Sequence, residues 1–346
     1  MQSSSLRGKS SGINYRAPCT SAEDHPCEIF KNLRFWNTFF WPVGLNLREV
    51  HPGQLSLVEI SREDMFTLVG QQHQRKATTL LNHLFRYHRC LVTVHLGDHL
   101  LIAHHQRLCD ALVQSPSLRK LRLRIWSIDP RVLQSFAVAL PRLKNLEELE
   151  CLIYLEENFC EVLSEFLVNA GSLTTFTLWS HLLDAPGGRI IFRGLMRNAS
   201  ITTLSLHLRI DPNGKEIAEY LRENQTLRNL TLTADECATF DQTQTVLRLI
   251  ICSIFRTTTL SNVRLEKFRM NEANSCLGAL LFSKNQSLRD FHMVKGSLYT
   301  DAYPPKSALF HPWLAAFRKN KTLKKLTMEL SCFSVEQCRS LSLRGA

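Results

Sequence analysis

A short pattern, LxxLxL preceded by a polar turn, recurs along most of this 346-residue chain. It reads NASITTLSL at 198–206, NQTLRNLTL at 224–232, NQSLRDFHM at 285–293 and NKTLKKLTM at 320–328. Looser copies are HRCLVTVHL at 88–96, SPSLRKLRL at 115–123, LKNLEELEC at 143–151, AGSLTTFTL at 170–178 and TTTLSNVRL at 257–265. Their first apolar anchors, Leu91, Leu118, Leu146, Leu173, Ile201, Leu227, Leu260, Leu288 and Leu323, follow one another at intervals of 26 to 35 residues. A unit of that length holds one short strand and one helix, and it can bury its apolar side only against the next unit. The expected fold is therefore α/β: a leucine-rich-repeat solenoid, or horseshoe, with an inner parallel β-sheet and outer helices. LSLVEI at 55–60 reads as one further strand ahead of the set.

The residues between anchors carry helical periodicity. Phe159, Val162, Leu163, Phe166 and Leu167 form one apolar stripe, and Ile217, Tyr220 and Leu221 form another. Asp211 and Pro212 read as the start of the second helix, with Asp supplying the cap oxygen, and its end falls at Asn224. The organisation expected is a structureless, serine-rich leader over 1–34, a hydrophobic helical cap over 35–87 and the repeats over 88–346. Hydrophobic residues at 44% and charged residues at 21% exclude a disordered or collagen-like chain. The longest apolar run, Val246 to Phe255, contains Arg248 and is far short of a membrane span. No apolar segment of the N-terminus reads as a secretory signal, so the chain is placed in the cytoplasm, with the nucleus also open.

These repeats resemble the ribonuclease-inhibitor type of leucine-rich repeat over about 91–340, and FWNTFFWPVGLNLREVHPGQLSLVEI is similar to the NLR-family-CARD-like repeat proteins of arthropods. In the family pattern an Asn or Cys follows the third apolar residue by three positions and bonds the turn backbone. Here those positions hold residues such as His99, Trp126, Tyr154, Arg209 and Phe268, so that ladder is missing. The resemblance implies a binding protein. The nucleotide module of an NLR is not expected, because Gly8, Lys9 and Ser10 lack the earlier glycine of a phosphate loop.

Other chemistry is weakly signalled. Eleven cysteines include no CxxC pair and read as reduced structural thiols. His95, His99, His104 and His105 lack ligand-pair spacing, and Cys19, His25 and Cys27 fall in the expected leader, so no metal is expected. Asn198, Asn224, Asn285 and Asn320 each sit in Asn-x-Ser/Thr, three residues before an anchor, where a left-handed turn residue would end the helix. No nucleophile–base pair or cofactor motif is present, so no catalytic residue, enzyme activity or cofactor is expected.

Strand positions between anchors point away from the helices and form the concave face. The residues expected to meet a partner there are Arg119, Arg122 and Arg124, then Glu148 and Glu150, then Thr177 and Trp179, then His207, Arg264 and His292, with Glu329 among the last of the face. The net charge of +11 is spread along the chain rather than gathered into a track, which suits a protein partner better than nucleic acid. A non-catalytic intracellular protein-binding scaffold or sensor is the expected function. The alternative is the substrate-recognition subunit of a ubiquitin ligase, in which residues 35–87 would carry the recruitment motif.

Overall fold

The computed structural model describes residues 17–21, 27–60, 71–126, 129–180, 183–234, 240–268, 270–294 and 311–328. They form two compact units, one from residues 1–95 and 99–118 and the other from residues 96–98 and 119–346.

The first unit opens with a 3-10 helix, Glu28–Asn32, that runs into α1, Leu33–Phe40. Cys27 and Ile29 are buried, so part of the span expected as a structureless leader is folded. A left-handed Gly44 turns the chain into β1, Leu45–His51, which pairs antiparallel with β2, Gln54–Glu59. The segment expected to be a helical cap thus contains a hairpin, and the strand expected at 55–60 is its second arm. Then come α2, Gln71–Tyr87, β3, Leu91–Gly97, and α3, Asp98–Val113, kinked at His104; β3 lies parallel to β2. Asn37 on α1 donates to the Leu47 carbonyl at 2.8 Å and accepts the Leu47 N–H at 2.7 Å. One carboxamide therefore satisfies both backbone groups of a residue on β1, the kind of exposed strand edge that otherwise recruits foreign strands. Trp36 and Phe40 of the same helix are core residues.

The second unit is the repeat array. Its strands are β4 Lys120–Ile125, β5 Glu148–Ile153, β6 Thr175–Ser180, β7 Thr203–Leu208, β8 Asn229–Ala234, β9 Asn262–Glu266, β10 Asp290–Val294 and β11 Lys325–Met328. Each pairs in parallel with the next, in sequence order. Between them run α4 Pro130–Ala139, α5 Glu157–Asn169, α6 Ala185–Arg197, α7 Ile210–Glu223, α8 Phe240–Arg256, α9 Glu272–Lys284 and α10 His311–Lys319. This is the leucine-rich-repeat architecture that the period dictates. Every strand from β4 onward begins two residues after its anchor, and all of the anchors except the half-buried Leu323 are buried. Burial alternates along the strands: in β6, Phe176 and Leu178 are buried while Thr175, Thr177 and Trp179 are half-exposed.

The helical stripes pack inward as their periodicity predicts. Phe159, Leu163, Phe166 and Leu167 are buried, as are Ile217, Tyr220 and Leu221; Val162 is only partly covered. The α7 start differs from expectation. It opens at Ile210 with Arg209 as cap residue and no side-chain cap bond, so Pro212 falls inside the first turn. Side-chain caps occur instead at Asp129, Asp184 and Asn271, which accept from the Arg131, Gly187 and Asn274 amides.

The four Asn-x-Ser/Thr segments hold the units together, though not by the expected route. Asn198, Asn224 and Asn285 lie in extended backbone, with φ of −79°, −71° and −69°, not in the left-handed region. What matters is the carboxamide. Each Oδ1 accepts two backbone N–H groups at the entry to the strand, those of Ser200 and Ile201, of Thr226 and Leu227, of Ser287 and Leu288, and of Thr322 and Leu323. Nδ2 of Asn198, Asn285 and Asn320 donates back to a carbonyl of the preceding unit, Leu167, Phe255 and Phe282 respectively, at 2.7 to 3.0 Å. The Ser or Thr two residues on does the same through its hydroxyl, Ser200 to Leu173, Thr226 to Ile201, Ser287 to Thr257 and Thr322 to Leu288. A side-chain ladder therefore exists, but at the helix-to-strand corner rather than after the strand. It satisfies backbone groups that burial would otherwise leave unpaired.

Candidate functional site

The sheet face opposite the helices is built by register. Because successive strands pair without slippage, alternate residues fall into rows that cross the sheet. One row runs Arg122, Glu150, Thr177, Ser205, Thr231, Arg264, His292; the next runs Arg124, Leu152, Trp179, His207, Thr233, Glu266, Val294. Arg122, Arg124, Glu150, Thr177, Trp179, His207, Arg264 and His292 lie in these rows; Glu148 lies in the row two residues earlier, opposite Lys120 and Thr175, Arg119 directly precedes that row, and Glu329 is outside the described residues.

Adjacency changes what these residues can do. Arg119 meets Glu147 at 3.3 Å, Lys120 meets Glu148 at 2.7 Å and Arg122 meets Glu150 at 3.4 Å. The basic strand and the acidic strand are thus each other's partners, and the charges of β4 and β5 largely cancel. Both members of each pair are roughly a third to a half exposed, so each contributes at most about 1 kcal/mol. Burial raises the Glu150 pKa, against the opposing pull of Arg122. Arg124 is exposed and makes no ion pair among the described residues, and Leu152 beside it in the row is buried.

In the middle of the face the Trp179 and His207 rings stack at 4.0 Å between centroids, tilted by 20°. Both are half-exposed and in register across β6 and β7, flanked by Thr177, Ser205, Thr231 and Thr233. From the entry of β8 to β11 the character turns basic. Arg264 pairs with Glu266 at 2.5 Å, while Arg228 and Arg289 extend to the carbonyls of Thr259 and Thr322 at 3.1 and 3.2 Å. Lys324 and Lys325 are exposed. His292 sits among them with its pKa lowered, first by burial and then by Lys325 and Arg264. The surface is thus mixed in character, with one aromatic pair at its middle and basic side chains toward one end.

The structure gathers a second group that sequence spacing hides. Among the described residues, a single set of three or more His, Cys, Asp or Glu side chains meets at metal-ligand distance: Cys19, Cys27, His88 and Cys90, in the first unit. Cys19 and Cys27 fall in the span expected as a leader, and His88 and Cys90 are separated by one residue at the turn from α2 to β3. None forms a CxxC pair, so no local signal marks them. The Cys90 thiol and His88 hold Cys27 well below the usual thiol range, and the same contact with burial pushes Cys90 up. Among the described residues, the histidine cluster singled out in the sequence forms no such set: His104 marks the kink of α3, and Cys109 is a buried thiol that burial pushes up to about 12. His25 and the side chains of Asp98 and His99 lie outside the described residues.

No protein-family model matches the chain, and no curated protein matches it. Among solved structures it is similar to a chain of the Rad7 and Elc1 complex in yeast, with 12% identity and a TM-score of 0.45, over 76% of this chain and 69% of that one. It is also similar to a chain of the complex of TLR13 with ssRNA13, with 14% identity and a TM-score of 0.41, over 72% of this chain but only 34% of that one.

Proposed function

We propose that the chain is a non-catalytic protein-binding scaffold that holds another protein on the open sheet face of β4 to β11. The observation that carries this reading is the half-exposed Trp179–His207 stack, set in a hydroxyl-rich stretch between a charge-compensated end and a basic end. Aromatic anchors with low rotamer entropy dominate interface energetics, and rows of short hydroxyls let a partner approach closely. The basic residues at β8 to β11 complement an acidic patch on that partner. Interruption of positive charge by Glu147, Glu148 and Glu150 disfavours a nucleic-acid backbone.

The long helix of most units supports the ribonuclease-inhibitor type of repeat, and the eight described cysteines, all free thiols, fit a reducing intracellular compartment. Among the described residues no helix is long and apolar enough to cross a membrane. The Asn37 pairing with Leu47 supports an edge-closing role for residues 35–87. Trp36 and Phe40 are core residues, Trp41 and Tyr87 are each 45% exposed, and residues 61–70 lie outside the described residues, so the ligase-recruitment reading stands as the alternative.

The test is affinity capture with the intact chain, followed by titration of the purified captured protein against wild type and a Trp179→Ala, His207→Ala double variant whose circular dichroism is unchanged. Affinity is expected to fall at least tenfold, about 1.4 kcal/mol. Equal affinity places the contact elsewhere on the chain.

A further inference from the structure

Four soft donors converge in the first unit from opposite ends of its sequence. Cys19 and Cys90 are 71 residues apart, Cys27 and His88 are 61 apart, yet all four ligand atoms lie within 4.8 Å of one another. The elements explain the meeting. The Cys19 N–H donates to the Tyr87 carbonyl at 3.2 Å, which pins the N-terminal segment against the end of α2. Cys27 immediately precedes the first 3-10 helix, and the His88 ring packs edge-on against Trp36 at 6.0 Å. The His88 N–H bonds the Leu84 carbonyl, and the Leu91 N–H bonds the His88 carbonyl, so the turn carrying His88 and Cys90 is fixed from both sides. Cys27, His88 and Cys90 are 1%, 4% and 3% exposed.

Tetrahedral zinc with bonds of about 2.3 Å to sulfur and about 2.05 Å to nitrogen requires separations of about 3.8 Å between two sulfurs and about 3.6 Å between sulfur and nitrogen. The Cys19 and Cys90 sulfurs are 3.8 Å apart, and the Cys27 sulfur lies 3.6 Å from His88 Nδ1. From this geometry we infer that Cys19, Cys27, His88 Nδ1 and Cys90 form a structural zinc site of the three-cysteine, one-histidine kind.

The donor set selects the metal. Three thiolates and an imidazole favour zinc over magnesium or calcium, which take oxygen, and four protein ligands close the coordination sphere so that no position remains for catalysis. With three thiolates and neutral His88, the filled site carries one net negative charge, and its formation releases the thiol protons still bound in the metal-free chain. The metal ties the segment holding Cys19 and Cys27 to the turn between α2 and β3. It thereby holds α1 and Asn37 over the β1 edge.

The experiment uses the full chain, without a histidine tag, purified under reductant in metal-free buffer and analysed by atomic emission. About one zinc per chain is expected. Cys27→Ser and His88→Gln should abolish it, while Cys276→Ser, at an exposed cysteine of the second unit, should retain it. Should the site variants fail to fold, the wild-type chain stripped by chelator and titrated with Co2+ gives an independent reading: the intense visible bands of tetrahedral cobalt with thiolate-to-metal charge transfer, saturating at one equivalent and erased by Zn2+. Absence of zinc and of those bands overturns the inference. So does zinc that survives in the folded site variants, or a Cys19–Cys90 disulfide found by peptide mapping.

Discussion

Asn285 offers the sharpest check on how the repeats are joined. Its side chain is 7% exposed, and it makes three bonds of 3.0 Å or less: from the Ser287 and Leu288 amides to Oδ1, and from Nδ2 to the Phe255 carbonyl of the preceding unit. Leu288 is fully buried, so its amide has no water to turn to when Oδ1 is removed. At about 1 kcal/mol net for each bond, Asn285→Ala should lose about 3 kcal/mol. Asn285→Gly separates two explanations of why Asn stands there. If the position needed a left-handed residue, glycine would be neutral or better. The backbone is extended, with ψ of 134°, so glycine instead loses the same bonds and adds about 0.5–1 kcal/mol of chain entropy, for about 4 kcal/mol in all. Urea unfolding followed by circular dichroism gives the free energies, and hydrogen exchange at the Ser287 and Leu288 amides shows whether the loss is local. Gln286→Ala, at the exposed neighbour, should stay within about 0.5 kcal/mol. An Asn285→Gly chain within about 0.5 kcal/mol of wild type would refute the carboxamide reasoning.

Gly194 lies where α6 crosses α5, and a Cβ there would sit 2.6 Å from the Ser164 carbonyl oxygen and 2.8 Å from its Cα. Gly194→Ala should therefore destabilise by about 1–3 kcal/mol in thermal or urea unfolding, despite alanine's advantage of about 1 kcal/mol in a helix. His292 and His104 both have pKa values lowered first by burial, helped by Lys325 and Arg264 at the one and by Arg107 and Arg75 at the other. Below the ordinary value of about 6.5 the unfolded chain binds protons that the folded chain does not, so stability should fall as pH drops through that value. His292→Asn should flatten that slope in unfolding curves taken between about pH 7 and pH 5; an unchanged slope would remove His292 from the account.

Much of the architecture was legible because a solenoid writes its geometry into a period. The anchors Leu118 to Leu288 had to be buried, the strands had to start beside them, and the stripes at Phe159 and Ile217 had to face the sheet, since no unit can cover its apolar side alone. The residues of the open face followed from the same alignment. Local chemistry was less legible where two explanations share one residue type. Asn198, Asn224 and Asn285 mark the corners on either reading, and only their backbone angles and bonds show that the carboxamide is what the corner uses.

What the chain could not declare by pattern is which side chains become neighbours. Arg122 and Glu150 read as two separate features of a binding face until the parallel register set them opposite each other at 3.4 Å. Trp179 and His207 stood as separate members of the expected face until parallel register stacked their rings at 4.0 Å. The cysteines carried no spacing signal at all, because Cys19 and Cys27 reach His88 and Cys90 only after α2 has folded back against the N-terminal segment. Periodic burial is a property of each unit's own sequence and survives being read in one dimension. Ion pairing, stacking and metal ligation fall off within a few ångströms, so they are decided only when the tertiary fold brings residues distant in sequence to those distances.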